Sequence, residues 1–432
     1  MVCPMSGRNC SAEPRTDPGP FRWSPLFSAT ISGRAYAAPL VNVVIDALAV
    51  GGDGIGRIAD GRVVFVPGAL PGETVRVRTV EERKSMLRAE IEEVVVASPD
   101  RQEPWCPHRA QGCGGCGWQH VRPDRQPVHK RSIVVDALRR TAGLTAEAAD
   151  RLVRLGPELP DRQYRTTMRA SIDADGRVGM RAYRSDEVVP IVSCGIAHPS
   201  LDAVLWSSEV APGALELETR VGLASGERTS RLVFPGDDPV HGPLPPGVVH
   251  ETIAGVSLQV SAGSFFQTSV MGAQALVGLV DEAVGRAAPG QLLVDLYGGV
   301  GLFAATVGRR FDAVTVVEVA RSSCRDARVN LASRAAADVV ERDVARWRPI
   351  RRVGPRPVVI ADPSRRGLDR GGVETIAACR PERIVLVSCD VGSYARDTKL
   401  LIEAGFDLVD AVCIDLFPNT PHIEIVSTFV AR

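Results

Sequence analysis

The sequence contains little lysine, few aromatic residues and no long apolar run. Only three of its 51 basic residues are lysines, aromatic residues make up 5% of the chain, and the formal net charge is zero. The absence of an apolar run of about 18 residues excludes a membrane-spanning helix. Zero net charge argues against a strongly basic nucleic-acid coat. Nearly all of the positive charge is guanidinium, which binds phosphate oxygens in pairs and stacks on bases.

That positive charge is unevenly distributed. Residues 121–170 contain eleven Arg or Lys and six Asp or Glu, an excess of five positive charges. The stretch is consistent with RNA binding, although a high GC content of the gene would give the same arginine bias.

Residues 1–38 have no apolar core of signal-peptide length, so we expect a disordered tail or a mis-called start. We therefore expect a cytoplasmic protein with no membrane partner, and a monomer.

Residues 39–98 have the pattern of a small all-β barrel. Short β-branched runs at 41–49, 62–66, 74–81 and 87–96 are separated by Gly, Pro and Asp turns. The length and the GG-x-G loop resemble the TRAM domain, an OB-like module, and OB-type barrels bind nucleic acid across one face. The alternative is a β-barrel appendage without RNA-binding activity.

The next region, residues 99–250, is predicted to be a small β-rich domain that carries a metal cluster. Its segment 105–120, "WCPHRAQGCGGCGWQH", contains three cysteines. Without an export signal, thiols are expected rather than disulfides, and a tight cysteine cluster then indicates metal or redox chemistry. A basic helical stretch is predicted at 132–155. A β-hairpin with its turn at 173–176 is predicted within 165–190, shortly before Cys194.

Residues 251–432 alternate strands and helices, which predicts an α/β domain of Rossmann type, with a mainly parallel sheet between helices. Strands are predicted at 292–296, 313–318, 357–361, 383–388 and 408–415. The final stretch, "HIEIVSTFVAR", is predicted to be an edge strand that closes the sheet. We expect its Glu424 to lie near Cys389, on a parallel neighbour.

The first of these strands leads into a glycine-rich turn, "DLYGGVG". Gly298, Gly299 and Gly301 allow a cofactor to approach the backbone, at the sheet edge where such folds bind ligands. A dinucleotide site is one alternative for a lone glycine-rich turn. The spacing and Glu318 at the end of the next strand, where it can accept both ribose hydroxyls, resemble instead the S-adenosylmethionine site of class I methyltransferases.

Two further strands are followed directly by reactive side chains. Asp362 follows the fourth strand and Cys389 the fifth. A cysteine at this edge faces the cofactor cleft, so a nucleophile is a reasonable hypothesis, whereas Cys379 and Cys413 are better candidates for core positions. A thiol and the carboxylate of Glu424 beside one cofactor can add to a ring and later remove a proton.

Six motifs in order resemble the RNA uracil-5-methyltransferase family, in particular its members with a TRAM domain and an iron–sulfur cluster that methylate 23S ribosomal RNA. These motifs are the cysteine cluster, "FFQ", "DLYGGVG", "ADP", "SCD" and "HIE", and the resemblance covers about residues 41–432. It implies a 4Fe–4S cluster, although zinc also accepts four thiolates. The implied ligands are Cys106, Cys113, Cys116 and Cys194.

The resemblance also implies a role for each cleft residue. Cys389 would add to C6 of uracil and Glu424 would remove the C5 proton, on a base flipped out of its stack or in single-stranded RNA. The implied substrate is 23S ribosomal RNA; transfer RNA and a catalytically silent RNA-binding protein are the alternatives. The residues implied to contact S-adenosylmethionine are Gln267, Tyr297, Gly299, Glu318, Asp343 and Asp362.

The nucleophile motif departs from the family pattern S-C-N-P, because Asp390 and Val391 follow Cys389 here. An anion beside the cysteine is expected to raise the pKa of its thiol unless a nearby arginine compensates. The candidate arginines are Arg365, Arg366 and Arg396.

Overall fold

The computed structural model describes residues 40–207, 210–237, 247–349 and 354–432. The predicted tail at 1–38 lies outside these residues. Among the helices of the described ranges, none is both long and apolar enough to cross a membrane.

The first unit is a closed five-stranded barrel with the strand order β1-β2-β3-β5-β4. Alternate side chains point inward, as the period of two requires, and Val43, Ile45, Val64, Val75 and Val77 form its core. The four predicted strands are confirmed, and a short one is added inside the glycine-rich loop. The strands are β1 (Val41–Leu48), β2 (Gly54–Arg57), β3 (Val63–Val66), β4 (Thr74–Glu82) and β5 (Met86–Val96).

The central region begins with helices and continues as a five-stranded antiparallel sheet, β11-β10-β7-β8-β9. The predicted hairpin is confirmed as β7 and β8, with Asp173 and Gly176 in the turn. The predicted helical stretch at 132–155 is correct only in part. It contains a π-helical turn at Leu138–Ala142 between two helices, and its last three residues, Val153–Leu155, form a strand instead because they pair with the large sheet. The elements are α1 (Pro107–Ala110), α2 (Gln126–Ala137), α3 (Ala146–Leu152), β6 (Val153–Leu155), β7 (Thr167–Ile172), β8 (Val178–Arg181), β9 (Val188–Pro190), α4 (Pro199–Leu205), β10 (Glu216–Val221) and β11 (Arg228–Val233).

The remaining chain forms a two-stranded hairpin and then the α/β unit predicted from the sequence. Short 3-10 helices lie at Val307–Arg310 and Val344–Arg346. The elements are β12 (Val248–Ile253), β13 (Val256–Ser261), α5 (Val270–Val284), β14 (Leu292–Leu296), α6 (Leu302–Ala305), β15 (Ala313–Glu318), α7 (Arg321–Asn330), β16 (Ala337–Glu341), β17 (Val358–Ala361), α8 (Asp369–Cys379), β18 (Arg383–Ser388), α9 (Val391–Glu403), β19 (Phe406–Ile414) and β20 (Glu424–Ala431).

The large sheet has eight strands in the order β16-β15-β14-β17-β18-β20-β19-β6, and its first five are parallel. Its apolar strands pack on one face against α2, α8 and α9, and on the other against α5 and α6. The strand order reverses at β14, between β15 and β17. In open α/β sheets, ligands bind at such a reversal point.

Two expectations about the closing strand are wrong. Strand β20 is not an edge strand, because it pairs with β18 on one side and β19 on the other. Both pairings are antiparallel, and Ser388 lies opposite Ile425. Glu424 does come next to Cys389 along the sheet, but through antiparallel pairing. The edge itself is β6, which joins β19 in parallel and brings residues of the central region into the catalytic sheet.

The barrel contacts the α/β unit through the loop after β1. Gly52 has φ +89, and a Cβ there would lie 2.6 Å from both Pro421 Cβ and Trp118 Nε1. Only glycine allows this backbone conformation and this close approach. The barrel loop, the cysteine-rich segment and the loop before β20 therefore meet at one place.

Candidate active site

A single cleft of about 2690 Å³ opens above the carboxyl ends of the parallel strands. It extends from the reversal point at β14 to the barrel, whose strands β4 and β5 form part of its wall. The structure brings all eight predicted catalytic and cofactor residues to this cleft. They are Gln267, Tyr297, Gly299, Glu318, Asp343, Asp362, Cys389 and Glu424.

The glycine-rich turn after β14 has a left-handed backbone, a conformation that favours glycine. Tyr297, Gly299 and Gly301 have φ values of 60°, 54° and 82°. A Cβ on Gly298 would lie 2.7 Å from Val316 Cγ1. The turn is thus pressed against β15, which leaves its outer face free for a ligand.

Glu318, at the end of β15, is bound to the same turn. Its Oε2 accepts a hydrogen bond from Gly299 N–H at 3.0 Å, and its Oε1 accepts from Val319 N–H at 2.8 Å and Ala320 N–H at 2.7 Å. Three backbone donors fix the carboxylate at the rim of the cleft, where it is suited to accept hydroxyl groups of a ligand.

Further carboxyl groups crowd around the turn. Burial and the charge of Glu318 raise the pKa of Asp362 to about 7. Burial also raises the pKa of Asp295, below the turn, to about 8, and the charges of Asp362 and Glu318 act in the same direction. Asp343 caps the 3-10 helix after β16 by accepting Ala345 N–H at 2.8 Å. This concentration of acids favours a cationic ligand.

Cys389 and Glu424 also line the cleft; Cys389 directly follows β18, and Glu424 is the first residue of its antiparallel neighbour β20. Burial, first, and then the charges of Glu424 and Asp362 raise the pKa of the Cys389 thiol to about 12. Burial and the charge of Asp362 raise the pKa of Glu424 well above its usual range. Both shifts favour the protonated form of the group.

Arg365 is the cation that opposes both shifts. It lowers the pKa of Cys389 and that of Glu424, and it lies on the cleft wall in the loop after β17. Of the three candidate arginines, Arg396 is committed elsewhere, because it binds the Asp397 carboxylate at 2.8 Å and the carbonyl of Arg366. The positive charge that opposes the raised pKa of the Cys389 thiol is therefore that of Arg365.

Asp390 has a role that the sequence analysis did not anticipate. It is the N-cap of α9, and its Oδ1 accepts the Ser393 N–H at 2.8 Å. An N-cap carboxylate satisfies a free helix N–H and interacts favourably with the helix dipole. The carboxyl groups that act most on Cys389 are those of Glu424 and Asp362.

The cleft contains further candidates that the motifs did not assign. Phe265 is 69% exposed and lies in the wall beside the buried Gln267. His422, two residues before Glu424, also lines the cleft, and burial lowers its pKa to about 4. The sequence signal for both was their place within "FFQ" and "HIE", which the motif analysis used only for Gln267 and Glu424.

The four predicted metal ligands belong to a different surface. Gly114, Gly115 and Gly117 line the cleft, whereas Cys106, Cys113, Cys116 and Cys194 are not among its wall residues. All four thiols are unpaired and half-buried, and their charges act on one another. Burial raises the pKa of Cys116 to about 12.

No group of three or more His, Cys, Asp or Glu side chains in the described ranges is arranged to hold a metal ion. The chemistry of the donor set nevertheless fits a thiolate-bound group, because the four free thiols are near enough for their charges to act on one another. A buried donor without a partner, Trp105 Nε1, precedes Cys106 in the chain, and its ring packs against Gly195, next to Cys194. Thiolate and sulfide sulfurs accept hydrogen bonds from such donors.

The sheet order, the glycine-rich turn at the reversal point and the acidic cleft define a class I S-adenosylmethionine-dependent methyltransferase fold. A TRAM domain model matches residues 40–91. The chain is 34% identical to an RNA methyltransferase of Streptomyces avermitilis, over 89% of this chain and 96% of the relative. A solved structure with the same fold is the tRNA (uracil-54, C5)-methyltransferase of Pyrococcus abyssi in complex with S-adenosyl-L-homocysteine. It has a TM-score of 0.66 and 24% identity, and the match covers 90% of this chain and all of that one.

A further relative is the 23S rRNA (uracil(1939)-C(5))-methyltransferase RlmD of Photorhabdus laumondii, which is 28% identical over 90% of this chain and 96% of its own length. The chain belongs to the RNA uracil-5-methyltransferase family.

Proposed function

We propose that this protein transfers a methyl group from S-adenosylmethionine to C5 of a uridine in RNA, with Cys389 as nucleophile and Glu424 as base. One observation carries the assignment of roles. Cys389 directly follows β18 and Glu424 begins the paired strand β20, the charge of Glu424 acts on the thiol, and the predicted cofactor residues line the same cleft.

The cofactor residues divide the work of binding. Glu318, fixed by backbone N–H groups, is placed to accept the ribose hydroxyls, and Asp343 lies on the side of β16, where an adenine would be reached. Gly299 and Tyr297 bring the backbone close, and Gln267 and Asp362 line the same cleft. S-adenosylmethionine, when bound, supplies a sulfonium methyl group, and its positive charge suits the crowded carboxyl groups.

Cys389 starts the reaction by adding to C6 of the target uracil. The thiol loses its proton to solvent, its sulfur forms a bond to C6, and the electrons of the C5–C6 double bond become those of an enolate. C5 would then be nucleophilic enough to bond to the methyl carbon, and the bond from that carbon to the sulfonium sulfur would break and release S-adenosylhomocysteine. Arg365 favours the first step, because its charge lowers the pKa of the thiol.

Glu424 completes the reaction by removing the proton from C5. The C5–C6 double bond forms again, the C6–S bond breaks, and Cys389 leaves as the thiolate. Its raised pKa makes the Glu424 carboxylate a strong base once it has lost its own proton. Because both groups act without their protons, the reaction is expected to speed up as the pH rises above neutral.

RNA fits the remaining surface of the cleft. The barrel wall contributes arginines, and the exposed ring of Phe265 offers a stacking surface to an unstacked base. We propose 23S ribosomal RNA as the substrate, since the RlmD relative matches over 96% of its own length. Transfer RNA is the second candidate, because the Pyrococcus abyssi enzyme of the same fold carries that substrate in its name.

The deciding experiment is methyl transfer from labelled S-adenosylmethionine to fractionated RNA from cells that lack the gene. Wild type and Cys389→Ala protein, both prepared without oxygen, are compared. We expect 5-methyluridine in 23S RNA with the wild type and none with the variant. Label in transfer RNA would keep the chemistry and change the substrate. Cofactor binding without methylation of any RNA fraction would instead support a silent RNA-binding protein.

We further propose that Cys106, Cys113, Cys116 and Cys194 hold a 4Fe–4S cluster with a structural role. None of the four cysteines lines the cleft, whereas Gly114, Gly115 and Gly117, which flank Cys116, do. Iron and acid-labile sulfide in anaerobically prepared protein, lost in Cys194→Ser, would support the cluster, and stoichiometric zinc would contradict it. The cytoplasmic location and the monomeric state stay predictions.

A further inference from the structure

The loop between β19 and β20 leads directly into Glu424, and a buried ion pair holds its first part. Lys130 of α2 is fully buried, and its ammonium group donates to Asp415 Oδ1 at 2.6 Å and to the Phe417 carbonyl at 3.1 Å. The same Asp415 oxygen accepts the Phe417 N–H at 3.2 Å. The start of the loop is thus tied to a helix of the central region.

The middle of the loop is held by a second set of contacts, all centred on Asn419. This residue is fully buried and has φ +65, a conformation that asparagine tolerates better than most residues. Its N–H donates to Gln126 Oε1 at 2.6 Å, its carbonyl accepts the Trp118 N–H at 2.8 Å, and its Nδ2 donates to the Asp161 carbonyl at 2.8 Å.

The partners of the loop come mainly from one short stretch of sequence. Trp118, Gln126 and Lys130 follow directly after Cys116, and Gln126 Nε2 braces the stretch by donating to the Val121 carbonyl at 3.0 Å. Gly52 of the barrel packs against both Trp118 and Pro421. Contacts with the segment 118–130, rather than with the catalytic sheet, therefore hold the residues before Glu424 in place.

We propose that Lys130 and Asn419 are positioning residues for the base, and that the segment 118–130 sets the place of Glu424 relative to the target uracil. This inference rests on the function proposed above. It does not require a metal at the cysteines.

The buried charges of Lys130 and Asp415 are better explained by a role in positioning Glu424 than by a role in stabilising the fold. Replacing a buried ion pair by apolar groups is often neutral or favourable for stability, so Lys130 and Asp415 are not needed merely to fill the core. Proton removal, by contrast, is sensitive to small displacements of the base. Asn419 adds a buried polar cluster at the point where the chain must turn towards the cleft.

The expected signature is a change in one step of the reaction. Methyl transfer precedes removal of the C5 proton, so a displaced base leaves the RNA attached to Cys389. In Lys130→Met/Asp415→Asn, which removes both charges together, we expect turnover to fall by about 10-fold to 100-fold. The fraction of enzyme covalently bound to RNA, measured on denaturing gels, should rise. Asn419→Gly, which keeps the backbone conformation and loses the amide, should show a smaller change in the same direction.

A matched control is available at the junction of barrel and central region. Arg101 and Glu73 form a comparable buried ion pair at 2.5 Å. The backbone of Arg101 pairs with Val121 of the segment 118–130, and exchange of the two charged side chains leaves that backbone pairing in place. Arg101→Met/Glu73→Gln should change thermal stability without accumulation of the RNA adduct. The cofactor affinity of each variant is measured as well. It shows whether the cofactor half of the cleft is intact, and it should be unchanged.

Glu424→Gln separates the two ways in which the experiment can fail. If Glu424→Gln itself accumulates no adduct, the proposed mechanism is wrong. If Glu424→Gln accumulates adduct but the Lys130 and Asn419 variants turn over normally, the positioning role is wrong. Loss of adduct formation or of cofactor affinity in those variants would also overturn it, because it would show general damage to the cleft.

Discussion

The carboxyl groups in the two halves of the cleft have different surroundings. In the cofactor half, at β15 and β16, Glu318 accepts three backbone N–H groups and Asp343 accepts one. In the catalytic half, at β18 and β20, burial and neighbouring charges raise the pKa of both Cys389 and Glu424. Asp362 stands between the halves and acts on both.

This difference follows from what each half has to do. A cofactor site needs a fixed acceptor, and backbone donors hold a carboxylate in place. A base must instead take up a proton during the reaction, and a carboxyl group with a raised pKa is suited to that task.

The sharpest test of the comparison exchanges one carboxyl group in each half for an amide. Glu424→Gln should lower the turnover of RNA methylation by about 10²-fold to 10⁴-fold, the usual contribution of a general base, with cofactor affinity unchanged. Glu318→Gln should weaken cofactor binding by about 10-fold to 100-fold, since it loses charge-assisted hydrogen bonds. Calorimetric titration of S-adenosylhomocysteine and steady-state methylation separate the two effects.

The two halves of the cleft would not differ in function if both variants changed the same quantity, either the turnover or the cofactor affinity. A loss of cofactor affinity in Glu424→Gln would show that the base belongs to the cofactor site. A turnover defect in Glu318→Gln at saturating cofactor would show that the ribose acceptor also acts in the chemical step.

The second test concerns the cation of the catalytic half. Arg365 lowers the pKa of Cys389 and of Glu424, so Arg365→Met should raise both. Because both groups react in the deprotonated form, the rate rises with pH, and the profile of the variant should move to higher pH by about one unit. At neutral pH this corresponds to a rate about tenfold lower.

The control for this test is the next residue in the chain. Arg366 also lines the cleft. Arg366→Met should lower RNA affinity without moving the pH profile. An equal shift in both variants would mean that the general positive potential of the loop, rather than Arg365, sets the reactivity of the thiol.

Much of the site could be predicted because it lies at strand ends. Tyr297, Glu318, Asp362 and Cys389 each follow an apolar strand, and the carboxyl ends of parallel strands meet at one edge. The cysteines and the glycine-rich turn are equally local patterns. Such features need only the order of strands and helices, which apolar periodicity and turn residues indicate well.

The errors concern contacts between residues far apart in sequence. Strand β20 inserts between β18 and β19, and the three-residue β6 joins the sheet from the central region. No local pattern records such pairings, because an inner antiparallel strand and an edge strand have similar sequences. For the same reason the burial of Lys130 beside Asp415, 285 residues away, could not be read from either segment alone.

The smallest predicted effect concerns Asp390, the departure from the family motif that first put the reactivity of Cys389 in question. As the N-cap of α9 it is a hydrogen-bonded acid of the kind found in the cofactor half, although it lies in the catalytic half. Asp390→Asn should therefore leave the pH dependence of Cys389 alkylation, followed by site-resolved mass spectrometry, almost unchanged. Asparagine caps helices about as well as aspartate.

Asp390→Ala distinguishes the cap from the charge. Without an acceptor for the Ser393 N–H, the free energy of unfolding should fall by about 1 kcal/mol, while Asp390→Asn should keep the wild-type value in denaturant titrations. If Asp390→Asn instead shifts the alkylation profile to lower pH by a full unit, the carboxylate acts on the thiol despite its hydrogen bond. Hydrogen bonding to the backbone would then not distinguish the carboxyl groups that bind the cofactor from those that take part in the reaction. Their distance from Cys389 would be the distinguishing property instead.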